Sequence, residues 1–266
     1  MPRDIVLLTD FGLADPYVGQ LKGALLRHAP QARILDLCHQ VEPFNILQAA
    51  FFLGVSRQWF PEGSVFVSVV DPGVGGDRRI ILVEKHQQYF LAPDNGLVSF
   101  VMQRGGASRV RDVTPAWRRD ASATFHGRDV FAPLAARLAN DAPTADLGDE
   151  VNPHSLARLP GAEPVRNGEV IEATILHVDR FGNCITNLDV ASWTPVLFKS
   201  KTPSLVVPSV RELFPVVTYE KLAPGELGLI RGSQGYLELA ANQQSAAAIL
   251  GLSSGAVVAI SLDKRD

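Results

Sequence analysis

The 266-residue chain is short of cysteine, of long apolar runs and of excess charge of either sign. Each shortage removes a class of protein. Its two cysteines, Cys38 and Cys184, stand alone, which supports neither a disulfide framework nor a CxxC metal knuckle. The apolar run near the N-terminus, Ile5 to Leu8, is four residues long, too short for a signal peptide or a membrane span. Twenty-five basic against 28 acidic residues give a formal charge of −3, without the basic surplus usual in chains that rely on neutralising phosphates. Nucleic acid and membrane are therefore not expected as partners. No repeat and no low-complexity tract is visible. The six histidines are scattered, with no HxH, HxxxH or HExxH spacing. His39, Asp71, His126 and Asp129 are the conceivable metal ligands, and no metal site is expected from them. What remains is a cytoplasmic globular protein with 46% apolar residues, enough to bury the core of one or two domains.

The pattern divides into three stretches. Through residue 150, short apolar runs alternate with segments of helical spacing. Ile5–Leu8, Ile34–Leu37, Val65–Val70, Ile80–Glu84 and Tyr89–Leu91 read as strands. Tyr17–Leu26 (entered through Pro16), Ile46–Trp59, Leu97–Arg104 and Val130–Ala139 read as helices. That alternation predicts a layered α/β domain with a largely parallel sheet over 1–150. Residues 151–168, with Pro153, Pro160 and Pro164, read as a linker. Over 169–266, strand-like runs at Val170–Val178, Leu205–Val207, Glu226–Ile230, Tyr236–Leu239 and Val257–Ser261 predict a smaller β-rich domain, a barrel.

Four loops carry more chemistry than connections require. Thr9–Pro16 (TDFGLADP) follows the first strand and matches neither a dinucleotide nor a P-loop fingerprint. Its Asp10 suits a ribose diol, and both Asp10 and Asp15 equally suit turn and helix-start capping. Asp71–Arg79 (DPGVGGDRR) places a carboxylate at a strand exit before a glycine-rich turn. Alternation allows at most one of Arg78 and Arg79 to face the same place, and a solvated hairpin is the plain alternative. Thr124–Asp129 (TFHGRD) sets His126 at a helix entrance, fit for proton handling or for capping. Asp179–Asn187 (DRFGNCITN) brackets a glycine turn with an aromatic, an amide and a carboxylate, fit to hold a purine or merely to turn a hairpin.

Taken in order, TDFGLADPYVGQLKG, VVDPGVGGDRR, LAPDNGLVSF, TFHGRDVFAP, DRFGNCITNL and GSQGYLELA make the chain resemble a known family along nearly its whole length. It is similar to the S-adenosyl-L-methionine (SAM) hydrolases that form adenosine, also called SAM hydroxide adenosyltransferases, relatives of SAM-dependent fluorinase and chlorinase. The resemblance implies an N-terminal α/β domain, a C-terminal β-barrel and a homotrimer with SAM bound between subunits. It places an Asp–Arg–His triad on Asp71, Arg78 and His126, and a ribose ligand on Asp10. Adenine and methionine contacts fall on Asn183, Ser233, Glu238 and, through its backbone, Ala241. From the halogenase branch, Asp15 and Asp179 are expected near the methionine amino group, with Phe44 and Phe181 around the nucleoside. No cofactor is implied.

The implied reaction is water plus SAM giving adenosine and L-methionine. The thioether leaves neutral, so the difficulty lies in aiming and deprotonating water. Arg78 suits developing hydroxide, and Asp71 and His126 suit orientation and proton acceptance. The resemblance puts a neutral tyrosine where halogenases correspond to Asp71. A carboxylate ~4 Å from a halide would repel it by about 4 kcal/mol at an effective dielectric of 20, roughly three powers of ten against halide binding, so Asp71 is expected to favour hydrolysis. A SAM- or adenosine-binding protein or sensor without turnover is the alternative, and a nucleoside halogenase a more remote one.

Overall fold

A computed structural model describes residues 2–103, 105–114, 121–198 and 203–262. The chain forms two compact units, residues 1–159 and 160–266. The first contains β1 (Ile5–Thr9), α1 (Tyr17–His28), β2 (Ile34–Cys38), α2 (Ile46–Ser56), β3 (Val65–Val69), β4 (Ile80–Lys85) and β5 (Gln88–Pro93). It continues with α3 (Ser99–Gln103), β6 (Ser108–Asp112), α4 (Ala132–Ala139) and β7 (Asp149–Val151). The helix expected to reach Arg104 ends within the described residues at Gln103; Arg104 lies outside them.

The sheet order is β2-β1-β3-β5-β4-β6-β7. β2, β1, β3 and β5 run parallel, whereas β4, β6 and β7 are antiparallel to their neighbours, so the sheet is mixed. The reversal has a local cause. Lys85 pairs with Gln88 across a two-residue turn, His86–Gln87, whose φ values of 53° and 58° make the left-handed turn that tight hairpins need. No Asn-Gly or Asp-Gly marks it in the sequence.

β1 and β3 are buried on both faces, which is why they read as unbroken apolar runs. Side chains alternate between two cores: Ile5 and Leu7 join Leu21 and Leu25 of α1 and Leu134 of α4 on one face. Val6 and Leu8 join Ala49 and Leu53 of α2 and Val101 of α3 on the other. Asn45 caps α2 by accepting from Gln48 N at 2.9 Å. Residues 151–168, expected as a linker, instead contribute to both units. Val151 ends β7 and Pro153–Ser155 make a 3-10 turn in the first, and 165–167 form a strand in the second.

The second unit holds β8 (Val165–Asn167), β9 (Val170–Val178), β10 (Cys184–Asp189), α5 (Val190–Leu197), β11 (Ser204–Val207) and β12 (Arg211–Val216). β13 (Leu227–Arg231), β14 (Tyr236–Ala241), α6 (Ala246–Leu250) and β15 (Val257–Ser261) complete it. The sheet runs β10-β14-β13-β12-β11-β15-β9-β8, and pairing of β10 with β9 closes it into a barrel. Ile171, Ala173 and Ile175, with Leu227, Leu229, Leu237, Leu239, Val258 and Ile260, alternate inward to fill it.

Candidate active site

The carboxyl ends of the parallel strands position the first cluster. Asp71 lies two residues beyond β3, and Arg78 two residues before β4. Because β4 runs opposite to its neighbour β5, its start lies at the edge where β3 and β5 end. Arg78 Nε donates to Asp71 Oδ1 at 3.0 Å and Oδ2 at 2.8 Å, and Arg78 Nη2 also donates to Oδ2. Nη2 further lies 2.9 Å from Nδ1 of His126. Asp71 and Arg78 side chains are 4% and 10% exposed, so water screens their pairing little. His126 precedes a π-turn, Gly127–Phe131, that runs into α4, and its ring makes no cap hydrogen bond there. The capping alternative for His126 is thus not what the ring does.

The paired arginines divide as alternation requires. Arg79 Nε donates to Asp94 Oδ2 at 2.9 Å and its Nη2 to the carbonyl of Ser155 at 2.8 Å, away from Asp71. The Ile80–Pro93 pairing of β4 with β5 puts residues 79 and 94 side by side.

A cleft of about 270 Å³ opens at this edge, with Asp71, His126, Asp10, Phe44, Tyr17 and Phe125 among its walls. Asp10 Oδ2 accepts from the backbone N–H of Phe44 at 2.9 Å, and Phe44 sits at φ 66°. His39 ties the same two loops together. Its Nδ1 lies 2.8 Å from Thr9 Oγ1, its carbonyl accepts from Gly12 N at 2.7 Å, and its Nε2 pairs with Asp36 at 3.0 Å. His39 therefore serves as a strut within the loops. Phe11, Tyr17 and Phe125 pack edge-to-face with centroids 5.4–6.2 Å apart, an aromatic wall that sequence reading did not single out. Asp15 is exposed and is not part of the cleft wall. Asp129 pairs with Arg128 at 2.6 Å. Among the described residues no group of three or more His, Cys, Asp or Glu side chains is arranged to hold a metal ion.

In the barrel unit, Asp179 organises the β9–β10 turn. Its Oδ1 accepts from Phe181 N and Asn183 N, each at 2.9 Å, and its Oδ2 from Asn183 Nδ2 at 2.9 Å. Gly182 has φ 84°, and a side chain there would run into Ser245. Phe181 is 78% exposed, whereas Asn183 and Glu238 are buried. Glu238, on β14, accepts from Tyr219 Oη at 3.1 Å. Burial holds the Glu238 carboxyl above its usual range, the nearby charge of Asp179 adds to that, and the Tyr219 hydrogen bond opposes it. Burial, then Glu238, pushes the Tyr219 hydroxyl up to about 12. Ser233 lies on the exposed β13–β14 turn and Ala241 ends β14. The structure thus groups Asp71, Arg78, His126, Asp10 and Phe44 in one unit, and Asp179, Asn183 and Glu238 in the other.

Fold and cluster together define an α/β-plus-β-barrel protein whose first unit carries a buried carboxylate–guanidinium–imidazole chain at the end of its sheet. Within that class, residues 5–148 match the SAM hydroxide adenosyltransferase N-terminal domain and residues 173–259 the corresponding C-terminal domain. The chain belongs to the SAM hydroxide adenosyltransferase family. It is 37% identical over 263 residues to the (R)-S-adenosyl-L-methionine hydrolase of Thermus thermophilus, covering 95% of this chain and 97% of that one. It is 40% identical over 256 residues to the enzyme of the same name from Salinispora arenicola, covering 94% and 95%. An uncharacterized conserved protein from Thermotoga maritima, solved by crystallography, superimposes with a TM-score of 0.86 at 33% identity, covering 97% of this chain and 99% of that one.

Proposed function

We propose that this chain hydrolyses S-adenosyl-L-methionine, in its R sulfonium form, to adenosine and L-methionine. The observation that carries the reading is the Asp71–Arg78–His126 chain, whose Asp71 and His126 line the same cleft as Asp10. The R configuration follows the names of the relatives. Water forms its bond to the ribose 5′ carbon as the C–S pair leaves with sulfur, and one proton must go to the protein.

Hydrogen-bond directions support Asp71 as the proton acceptor. A guanidinium only donates, so Nδ1 of His126 accepts from Arg78, and the neutral ring carries its proton on Nε2. A ring arranged this way donates to water and orients it. Asp71 only accepts, and takes the proton, while Arg78 supports the oxygen as it gains negative charge. Asp10 holds the ribose. Asn183, Ser233, Glu238 and the backbone of Ala241 take adenine and methionine, with Asp179 and Phe181 beside them. Asp15 contacts the methionine amino group, as the likeness to the halogenase branch implies. We place the reaction in the cytoplasm and in a homotrimer, barrel residues of one subunit completing the cleft of the next. The exposed aromatic faces of Phe44 (71%) and Phe181 (78%) support that arrangement.

In the folded protein Asp71 is not an isolated charge. Arg78 neutralises Asp71 at hydrogen-bond range, so the repulsion reckoned for a bare carboxylate largely disappears. Charge at position 71 alone does not separate a hydrolase from a halogenase. The deciding experiment is incubation with SAM in isotopically labelled water, with and without added fluoride or chloride, followed by chromatography and mass analysis. Label in the adenosine 5′-hydroxyl is the expected result. A halogenated nucleoside, or no adenosine with SAM bound, would overturn it in favour of a halogenase or a binding protein.

A further inference from the structure

We infer that Tyr219 is a positioning residue for Glu238, holding one carboxylate oxygen so that the other is presented to the substrate at the Gly232–Ser233 turn. This rests on the substrate role proposed above for Glu238. On β14, Leu237 and Leu239 point into the barrel core, so Glu238 between them points outward. An outward carboxylate would ordinarily meet water, yet Glu238 is only 5% exposed.

The connection between β12 and β13 lies over it. Leu222 packs on Ile230 and Ala240, its carbonyl accepts from Asn242 Nδ2 at 3.1 Å, and a 3-10 turn at Tyr219–Lys221 delivers the phenol to Glu238 Oε2. The other oxygen, Oε1, accepts no hydrogen bond among the described residues and lies against Gly232, where a side chain would collide with it. Glycine at 232 therefore keeps Oε1 open beside Ser233.

Among the described residues, the titratable groups acting on Glu238 are Tyr219, from the β12–β13 connection, and Asp179, from the β9–β10 turn. Asp179 Oδ1 accepts two hydrogen bonds and Oδ2 one within its own turn, whereas Glu238 Oε1 accepts none among the described residues and has full capacity for a substrate N–H. The Tyr219 hydroxyl stays protonated and donates, favouring the carboxylate over the acid; burial and Asp179 favour the acid.

The test is Tyr219→Phe, which removes one hydroxyl from a side chain that is 43% exposed. KM for SAM should rise about tenfold with kcat changing by less than about twofold. The acid limb of kcat/KM that Glu238→Gln abolishes should move to higher pH in Tyr219→Phe. An unchanged KM and limb, a fall in kcat at constant KM, or no limb that depends on Glu238 would overturn the inference. Wild-type protein that made no adenosine would instead sink the hydrolase reading on which it rests.

Discussion

Replacing Asp71 by Asn keeps the shape of the side chain and removes the charge that faces Arg78. Arg78 would keep an acceptor in the amide oxygen but lose its counter-charge at a place where its side chain is 10% exposed. Breaking a buried ion pair costs ~3–5 kcal/mol, and the retained acceptor argues for about 3. At roughly 2–4 °C per kcal/mol for a chain of this size, the melting temperature should fall by about 6–12 °C, leaving a folded protein at 25 °C. Turnover should fall further than stability, by about 10²–10⁴-fold, because an amide cannot take the proton of water. Adenosine should still bind, since Asp10 and the cleft's aromatic wall are untouched. Thermal melts, an adenosine-release assay and adenosine calorimetry measure the three quantities separately. Turnover within about tenfold of wild type in folded Asp71→Asn protein would refute Asp71 as the proton acceptor. Loss of adenosine binding would show that Asp71 holds the nucleoside.

Two further outcomes are expected. Glu238 has its carboxyl raised by burial, so its stabilising contribution is complete in acid and is lost as pH rises through the folded value. Ligand-free Glu238→Gln should therefore melt higher than wild type at pH 8, with the gap closing as pH falls toward 4; a gap independent of pH would refute the buried-charge account. Sedimentation at assay concentration should return three times the 28.8 kDa chain mass, and a monomeric mass in active protein would remove the shared-subunit site.

Legibility varied with the range of the interactions. β1 and β3 were readable because burial on both faces leaves uninterrupted β-branched runs, and Gly182 because its turn forces a positive φ. β7 is three residues with an exposed start, and β12 carries Pro215 and pairs in parallel with β13; neither presents a period to read. The antiparallel return of β4 was hidden because His86–Gln87 makes its turn without glycine. Among site residues, ordered motifs and family likeness brought Asp71, Arg78 and His126 forward. Tyr219 carried no motif, and its role appears only where the chain folds back across β14.

Residue chemistry and local order were thus written into the linear chain: acceptor-only aspartates, a permanently charged arginine, and glycines where the backbone must turn. Folding alone settled which partners they meet and in which direction protons point. Arg78 and His126 are 48 positions apart and Tyr219 and Glu238 are 19 apart. A hydrogen bond acts over about 3 Å, so its donor and acceptor roles exist only after sheet pairing and barrel closure have brought distant side chains to that range.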